Sequence, residues 1–415
     1  MFPDFVMSFL NEMNAIGHVW LVGGACRDHF LGIEPHDFDF VTTTPELFAE
    51  FPQTGKDFPV YQVRHQGHVF EIAAARTEKK TGNAHTDFTC ELTSSIHEDL
   101  QRRDFTINAV AYRPSDGFIF SDTDEDYLED IKWNILRHVS PAFSEDPLRV
   151  MRLARFAAKL NSTVSFDTVE LCRSINDQMQ FLTMERVQVE FYKAMQSPYP
   201  HRFFEVLRAC HCLDYWFPEI AAMDGCEHGD GHHPEGDVFV HTMLVIKRAA
   251  ELKLDLTGVL AALVHDIGKP PAKLVNGEGK ARFYGHGKAE HVDAAMAAFV
   301  TRFNISEKVA NAMYFAAYKH QDAHNAPKLK PGTLTEMLKA AKRSKLGVDG
   351  FINVCKADSQ GRGGDYPNMP YDPGVFMAEA ADVIAAVNVK ELANITPETV
   401  ANAYNSAVAT WKKNK

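Results

Sequence analysis

Two aspartates with one residue between them, Asp37 and Asp39, follow a glycine pair near the start of the chain. Carboxylate oxygens are hard ligands of the kind that Mg²⁺ takes together with substrate phosphates. Transfer of a nucleotidyl group puts negative charge on the attacking, leaving and phosphoryl oxygens, and paired divalent ions stabilise all of them. The pair therefore predicts a catalytic Mg²⁺ site, whereas the alternative for an isolated Asp-x-Asp is a solvated strand edge.

The elements around this pair favour the catalytic interpretation. Residues 19–22 are apolar and predict a strand, Gly23 and Gly24 predict a tight turn, and residues 25–31 predict a short helix. Open backbone N–H groups and the positive end of a helix then face one point, which makes an anion site. In a following strand over residues 37–43 both aspartates would project to the same side. Two carboxylates beside a phosphate-binding turn form an arrangement that holds Mg²⁺.

Five motifs occur in order over the first 149 residues. They are Gly23-Gly24-x-x-Arg27-Asp28, Asp37-x-Asp39, Ala75-Arg76-Thr77-Glu78, Arg102-Arg103-Asp104-Phe105-Thr106-Ile107-Asn108-Ala109 and Glu145-Asp146-x-x-Arg149. With this series the chain resembles the class II tRNA nucleotidyltransferases, the CCA-adding enzymes, in the bacterial form that carries a C-terminal HD domain. A later His265-Asp266 pair extends the resemblance across nearly the whole chain.

The resemblance implies roles for the motif residues. It implies that Asp37 and Asp39 bind the catalytic metals and that Asp104 and Asn108 sense the ribose of the nucleotide. It also implies that the incoming ATP or CTP is bound by Gly24, Arg27, Arg103, Arg149 and Arg152, and Gly23 joins them through the anion-binding turn. A guanidinium suits phosphates and base edges because it is always charged and donates in a planar fork. For a single arginine the alternative is a solvated surface charge, which is our interpretation of Arg102.

Base selection requires protein groups because this family copies no template. Pro147 fits the first turn of a helix, so Asp146, Arg149 and Arg152 would share one helix face. Cytosine and adenine both offer an exocyclic amine beside a ring-nitrogen acceptor, which a carboxylate and an arginine can read. Uracil and guanine would leave buried groups unpaired, at roughly 1 to 3 kcal/mol for each lost bond. The alternative for an isolated Asp-x-x-Arg is an ion pair on a solvated face.

A second group of candidate ligands lies in the C-terminal half. His241, His265, Asp266 and Asp358 resemble the H…HD…D ligands of the HD phosphohydrolases, which hold one or two divalent metals. Mixed imidazole and carboxylate ligands suit Ni²⁺, Mn²⁺ or Co²⁺ as well as Mg²⁺, and such a site activates water for attack on a phosphoester. Three more histidines are secondary candidates, with a surface or helix-capping role as the alternative: His286, His291 and His320.

Composition sets limits on the class of protein and its partners. No stretch of the 415 residues is long and apolar enough to cross a membrane, and the seven cysteines show no zinc spacing. We therefore expect a cytoplasmic protein with reduced thiols, either a monomer or a homodimer, without membrane or DNA partners. The net charge of −12 requires that tRNA contact a confined basic area. Such a stripe steps along one predicted helix through Arg149, Arg152, Arg155 and Lys159, leading away from the site.

Strand patterns come first, over residues 37–43, 58–64, 68–76, 106–113 and 118–120, and helical patterns follow, so the predicted fold class is α+β. The head would contain a small, mostly antiparallel β-sheet with flanking helices, followed by an all-α neck, body, HD domain and tail. The expected domains are a catalytic head over 1–140, a helical neck and body over 141–222, an HD domain over 223–362 and a helical tail over 363–415.

The working hypothesis is template-independent, Mg²⁺-dependent addition of CCA to the 3′ end of tRNA from CTP and ATP, with release of pyrophosphate. A phosphohydrolase activity of the HD domain on 2′,3′-cyclic phosphates or 2′-phosphates would accompany it in tRNA repair. The alternatives are a poly(A) polymerase of the same superfamily, a protein that is mainly an HD-type phosphohydrolase, and a catalytically silent tRNA-binding module.

Overall fold

The computed structural model describes residues 2–55, 58–80, 88–121, 126–228, 234–277, 281–392 and 395–415. Residues 223–237 are polar and glycine-rich, which predicts a link between the body and the HD domain, and part of this stretch lies outside the described ranges. The chain forms two compact units. The N-terminal unit comprises Met1–Val187 and Ala209–Cys212, and the C-terminal unit comprises Gln188–Arg208 and Leu213–Lys415. The finer division into head, neck and body, HD domain and tail stays a prediction.

The strands lie mainly in the first third of the chain. In chain order they are β1 Val19–Val22, β2 Asp39–Thr42, β3 Gln53–Thr54, β4 Val60–His65, β5 His68–Ala74, β6 Arg76–Lys80, β7 Phe88–Leu92, β8 Val110–Arg113, β9 Gly117–Phe120, β10 Ile135–Leu136, β11 Thr163–Val164, β12 Leu274–Val275 and β13 Ala281–Arg282.

The α-helices account for most of the remaining chain. In chain order they are α1 Asp4–Asn14, α2 Gly24–Phe30, α3 Ile96–Gln101, α4 Asp126–Lys132, α5 Leu148–Leu160, α6 Phe166–Ser174, α7 Met184–Met195, α8 His201–Ala209, α9 Pro218–Ala221, α10 Val238–Glu251, α11 Leu256–Val264, α12 Lys269–Ala272, α13 Ala289–Arg302, α14 Glu307–His324, α15 Pro331–Arg343, α16 Gly347–Gln360, α17 Asp372–Ala385 and α18 Pro397–Lys413.

The main sheet of the N-terminal unit has seven strands within the described ranges, in the order β3-β4-β5-β2-β1-β8-β9. Strands β2 and β5 pair in parallel and the other neighbours pair antiparallel. The all-apolar β1 is buried along its whole length, as expected for a central strand covered on both faces. Its last residue, Val22, pairs with Asp39 of β2 and with Ala111 of β8. This register brings the glycine turn beside the first residue of β2.

Three local expectations for the N-terminal unit are wrong. Asp37 precedes β2 rather than lying in it, because the strand begins at Asp39. Residues 106–108, expected as extended, form a 3₁₀ turn before β8. Asp146 has extended backbone angles and lies ahead of the Pro147 cap of α5, so it is not on the helix face that carries Arg149 and Arg152.

The C-terminal unit is built almost entirely of helices. Two of them begin at aspartate caps, Asp237 for α10 and Asp255 for α11, and each carboxylate accepts a backbone N–H from the first turn. Helix α11 is buried from Thr257 to Val264, which matches its apolar sequence. The short β12–β13 pair is a small addition to the predicted helical architecture. The predicted α+β fold class is confirmed.

Within the described residues, none of the helices has the combination of length and apolar character needed to span a bilayer. The seven cysteines are free thiols, and six of them are buried.

Candidate functional site

A cavity of about 730 Å³ opens in the N-terminal unit beside the glycine turn. Every residue that the sequence places at the nucleotide and its metal lines this cavity: Gly23, Gly24, Arg27, Asp37, Asp39, Arg103, Asp104, Asn108, Asp146, Arg149 and Arg152. Four further basic residues line the wall, Arg102, Arg155, Lys159 and Arg186, together with the acidic Asp28 and Glu34. A cavity with many guanidinium groups and two carboxylates at one end suits a polyphosphate with divalent cations.

The glycine turn and the aspartates form the acidic end of the cavity. Gly23 has a φ of 74°, a left-handed conformation that favours glycine, and a Cβ on it would lie 3.2 Å from Arg103 Nη1. Protein atoms around Asp39 remove part of its water and raise the pKa of its carboxyl, and the charge of Asp37 raises it further while Arg103 lowers it. Two repelling carboxylates with hard oxygen donors fit a divalent cation, which would relieve that repulsion.

A row of hydrogen bonds joins the two ribose-sensing candidates to two arginines. Arg27 Nη1 donates to Asn108 Oδ1 at 2.6 Å, and Asn108 Nδ2 donates to Asp104 Oδ1 at 3.3 Å. Arg152 Nε donates to the other oxygen of Asp104 at 2.9 Å. Burial would raise the pKa of Asp104, but Arg152 and the hydrogen bond from Asn108 lower it below its usual value. Asp104 is therefore ionised at neutral pH and fixes both neighbours.

Asp146 has a partner that the sequence did not reveal. Its Oδ1 accepts the Leu148 N–H at 3.0 Å and its Oδ2 accepts from Arg186 Nη2 at 2.8 Å. Arg186 lies on α7, 40 residues further along, so no local spacing connects it to Asp146. Its Nη1 is buried and donates to no described residue, and other atoms of Arg186 line the cavity wall.

Backbone carbonyl oxygens hold Arg149, and two expectations about other basic residues change in the structure. Arg149 donates to backbone carbonyl oxygens, through Nη1 to Ala142 at 3.0 Å and through Nη2 to Arg102 at 2.7 Å. The interpretation of Arg102 as a solvated surface charge is wrong, because it lines the cavity and pairs with the fully buried Asp99 at 2.8 Å. The stripe that ends at Lys159 also lines the cavity instead of leading away from it. Around this cavity the sequence analysis missed two functional candidates, Asp99 and Arg186.

The C-terminal unit contains two groups of potential metal ligands among its described residues. One group is His241, His265 and Asp358, and the other is Asp266, His286 and His320; in each group the ligand atoms lie within 4.8 Å of one another. All six residues are buried. His291 belongs to neither group, and its Nε2 lies 3.6 Å from Glu290.

Hydrogen bonds from surrounding residues hold these candidate ligands. Glu235 Oε1 lies 3.0 Å from His241 Nδ1, and His324 Nε2 lies 2.6 Å from Asp358 Oδ2. Carboxylate partners of this kind fix the tautomer and orientation of a ligating imidazole. Neither Glu235 nor His324 follows from the H…HD…D spacing.

The buried carboxylates of Asp266 and Asp358 give this cluster negative charge that a bound metal cation would neutralise. Burial would lower the pKa of His265, but the carboxylates of Asp266 and Asp358 raise it to about 10. For both aspartates burial would raise the pKa, yet His265 and the other nearby cations lower it well below the usual range. Buried anions that draw a proton onto a histidine are a donor set that a divalent metal satisfies.

Comparison with known proteins identifies the family. Residues 19–137 match the family model of the Poly A polymerase head domain, residues 163–224 match "Probable RNA and SrmB- binding site of polymerase A", and residues 238–349 match the HD domain. The multifunctional CCA protein of Alcanivorax borkumensis is 36% identical, with 95% of this chain and 98% of that protein covered. That of Nitrosococcus oceani is 38% identical, with 90% and 92% covered. The chain belongs to the multifunctional CCA protein family.

Solved structures share the fold of this multifunctional CCA protein family member. The CCA-adding enzyme of Bacillus stearothermophilus in complex with CTP is 20% identical with a TM-score of 0.64, covering 100% of this chain and 94% of that one. The Thermotoga maritima CCA-adding enzyme complexed with tRNA(CCA) is 15% identical with a TM-score of 0.65, covering 100% and 92%. The family predicted from the sequence is confirmed.

Proposed function

We propose that the chain adds C, C and A to the 3′ end of tRNA from CTP and ATP without a template and releases pyrophosphate. Membership of the multifunctional CCA protein family supports this enzyme class, a CCA tRNA nucleotidyltransferase. The observation that carries the proposal is the single cavity lined by all eleven residues that the sequence assigns to nucleotide and metal. A cytoplasmic location and the oligomeric state, monomer or homodimer, stay predictions.

Each end of the cavity has a distinct part in this proposal. Asp37 and Asp39 would hold Mg²⁺, which supplies positive charge to the reacting phosphate when bound. The turn at Gly23 and the nearby guanidinium of Arg103 orient the triphosphate so that the tRNA 3′-hydroxyl attacks the α-phosphate in line. The row from Arg27 to Arg152 offers Asn108 and Asp104 to the ribose.

The test is incubation of the purified protein with radiolabelled CTP or ATP and tRNAs truncated at each of the three terminal positions. Addition of C to tRNAs that end before either C, and of A only after both, is the expected pattern. Runs of A without C would instead indicate a poly(A) polymerase, and no incorporation at all would indicate a silent tRNA-binding module.

Asp146→Ala is expected to relax discrimination against UTP and GTP by roughly 5- to 150-fold, the equivalent of 1 to 3 kcal/mol. The physical reason is that a carboxylate accepts from the amine of cytosine or adenine but faces an oxygen in uracil or guanine. The measurement is the ratio of kcat/KM for CTP and UTP. Arg186→Ala should move the ratio in the same direction, because Arg186 holds the Asp146 carboxylate. Unchanged ratios in both variants would reject this account of base selection.

Mg²⁺ binding at Asp39 is expected to weaken as the pH falls, and this weakening should begin at a higher pH than for an ordinary aspartate, because the pKa of Asp39 is raised. Folding raises the pKa of Asp39, so its ionised form costs stability as the pH rises, and a bound cation offsets that cost. The gain in thermal unfolding midpoint from Mg²⁺ plus CTP should therefore grow with pH, and higher Mg²⁺ should shift the acid limb to lower pH. An acid limb that is independent of Mg²⁺ concentration would contradict the assignment.

We further propose that the C-terminal unit hydrolyses phosphoesters, with 2′,3′-cyclic phosphates and 2′-phosphates of damaged tRNA ends as substrates. The observation in favour is the pair of buried ligand groups around Asp266 and Asp358. Their imidazole content favours Ni²⁺, Mn²⁺ or Co²⁺ over Mg²⁺. When bound, the metal lowers the pKa of a water molecule and supplies the nucleophile.

A further inference from the structure

Asp99 is a fully buried carboxylate directly behind the nucleotide cavity. It lies on α3, and its side chain is 0% exposed. Its Oδ1 accepts from Arg102 Nε at 3.0 Å, from Arg102 Nη2 at 2.8 Å and from the Arg76 backbone N–H at 3.3 Å. Its Oδ2 accepts from Arg103 Nη2 at 3.1 Å. One carboxylate therefore holds two consecutive arginines, each through a different oxygen.

Arg103 extends from this carboxylate to the acidic end of the cavity. Its Nη1 lies so close to Gly23 that a Cβ there would be only 3.2 Å away, and its charge lowers the pKa of Asp39. Its Nε is buried and donates to no described residue. The guanidinium thus lies beside the anion-binding turn and close enough to Asp39 for its charge to act on that carboxyl. Phosphate oxygens are the acceptors that this position suits.

A buried carboxylate is suited to this task only if it stays ionised. Burial alone would raise the pKa of Asp99, but the charges of Arg103 and Arg102 and their hydrogen bonds lower it below the usual value. The charge is therefore present across the neutral range. Within the described part of the N-terminal unit Asp99 does not line the cavity, so any effect on a ligand passes through the arginines.

We propose that Asp99 is a positioning residue that holds Arg103 over the glycine turn, so that its guanidinium meets the phosphates of the incoming nucleotide. The inference rests on the proposed nucleotide site. It gives a role to Asp99, which lies outside the five motifs.

Because the two oxygens of Asp99 have different partners, an asparagine at this position tests the contact with Arg103 separately from the contacts with Arg102 and Arg76. Three donors surround Oδ1, so the amide oxygen of an asparagine would take that side and keep the contacts of Arg102 and Arg76. The amide NH₂ would then face Arg103 Nη2, donor against donor. Asp99→Asn is therefore expected to release Arg103 selectively.

The test is a double-mutant cycle on the full chain, with binding of CTP and ATP measured by equilibrium dialysis in Mg²⁺ without tRNA. Arg103→Ala and Asp99→Asn should each weaken binding roughly tenfold, the loss of one charge-assisted contact. The double variant should bind no more weakly than Arg103→Ala alone, because Asp99 acts through Arg103. A purely structural role would instead make the two losses multiply.

The controls separate the possible failures. Glu219→Gln removes a carboxylate from a two-contact pair with Arg302 in the C-terminal unit, at 2.7 and 2.9 Å, and should leave nucleotide binding unchanged. If Asp99→Asn does not fold, Asp99→Ser, which also removes the carboxylate, takes its place in the same cycle. Multiplying losses, or parent-like binding by the Asp99 variant beside a weakened Arg103→Ala, would overturn the inference. Parent-like binding by Arg103→Ala would overturn the nucleotide site as well.

Discussion

Asp39→Asn is expected to lower the rate of nucleotide addition by at least about 1000-fold while CTP and ATP still bind. The change keeps the size of the side chain but removes the negative charge that binds Mg²⁺. Asp39 is the first residue of β2, and its pairing with Val22 places it beside the glycine turn. The arginines of the cavity remain, so the triphosphate keeps most of its contacts. Radiolabelled CTP incorporation into a truncated tRNA gives the rate, and equilibrium dialysis gives the affinity.

The matched control for this variant is Asp116→Asn. Asp116 lies in the β8–β9 turn of the same unit and pairs with Arg113, and among the described residues it is not one of those that line the cavity. It should add CMP at the parent rate. Addition by Asp39→Asn within threefold of the parent would exclude Asp39 as a metal ligand and with it the transferase mechanism proposed for this cavity.

The double variant His265→Ala plus Asp266→Ala is expected to lose at least about 100-fold of the phosphohydrolase rate and to keep CCA addition. His265 belongs to one of the two ligand groups and Asp266 to the other, so the double variant removes one ligand from each group. Hydrolysis of a 2′,3′-cyclic nucleotide across a series of Ni²⁺, Mn²⁺, Co²⁺ and Mg²⁺ measures the effect. A chelator should abolish the parent activity, and the added metal should restore it.

His291→Ala is the control for the C-terminal unit. It is a histidine of the same sequence region that lies outside both ligand groups, so hydrolysis should stay near the parent rate. Full phosphohydrolase activity in the double variant would remove this proposed function while leaving the transferase proposal intact.

The sequence was sufficient to assemble the cavity but not its inner contacts. The glycine turn, the aspartates and the arginines assigned to the nucleotide are recognisable because each belongs to a short pattern with its own chemistry, and all of them line one cavity. Arg186 was missed because its pairing with Asp146 spans 40 residues. Asp146 was misplaced on the helix because its extended backbone, ahead of Pro147, is not visible in residue spacing. The roles of these residues stay predictions until the variants are measured.

The C-terminal cluster shows a similar division. The spacing of His241, His265-Asp266 and Asp358 was enough to select three elements that the fold brings together. The spacing did not show that His320 joins the cluster and His291 does not. Both residues lie on helices, and only the packing of each helix determines whether its imidazole faces the cluster. Helix α14 buries His320 against the cluster, while His291 remains at the start of α13.

The hydrogen-bonded row from Arg27 through Asn108 and Asp104 to Arg152 has a consequence for engineering this enzyme. If Asn108 senses the ribose as proposed, tolerance of deoxynucleotides cannot be introduced at Asn108 alone, since its amide also binds the Arg27 guanidinium and the Asp104 carboxylate that holds Arg152. Selection of the sugar and binding of the triphosphate are therefore coupled in this proposal. A variant that accepts deoxynucleotides would need compensating substitutions at all four residues of the row.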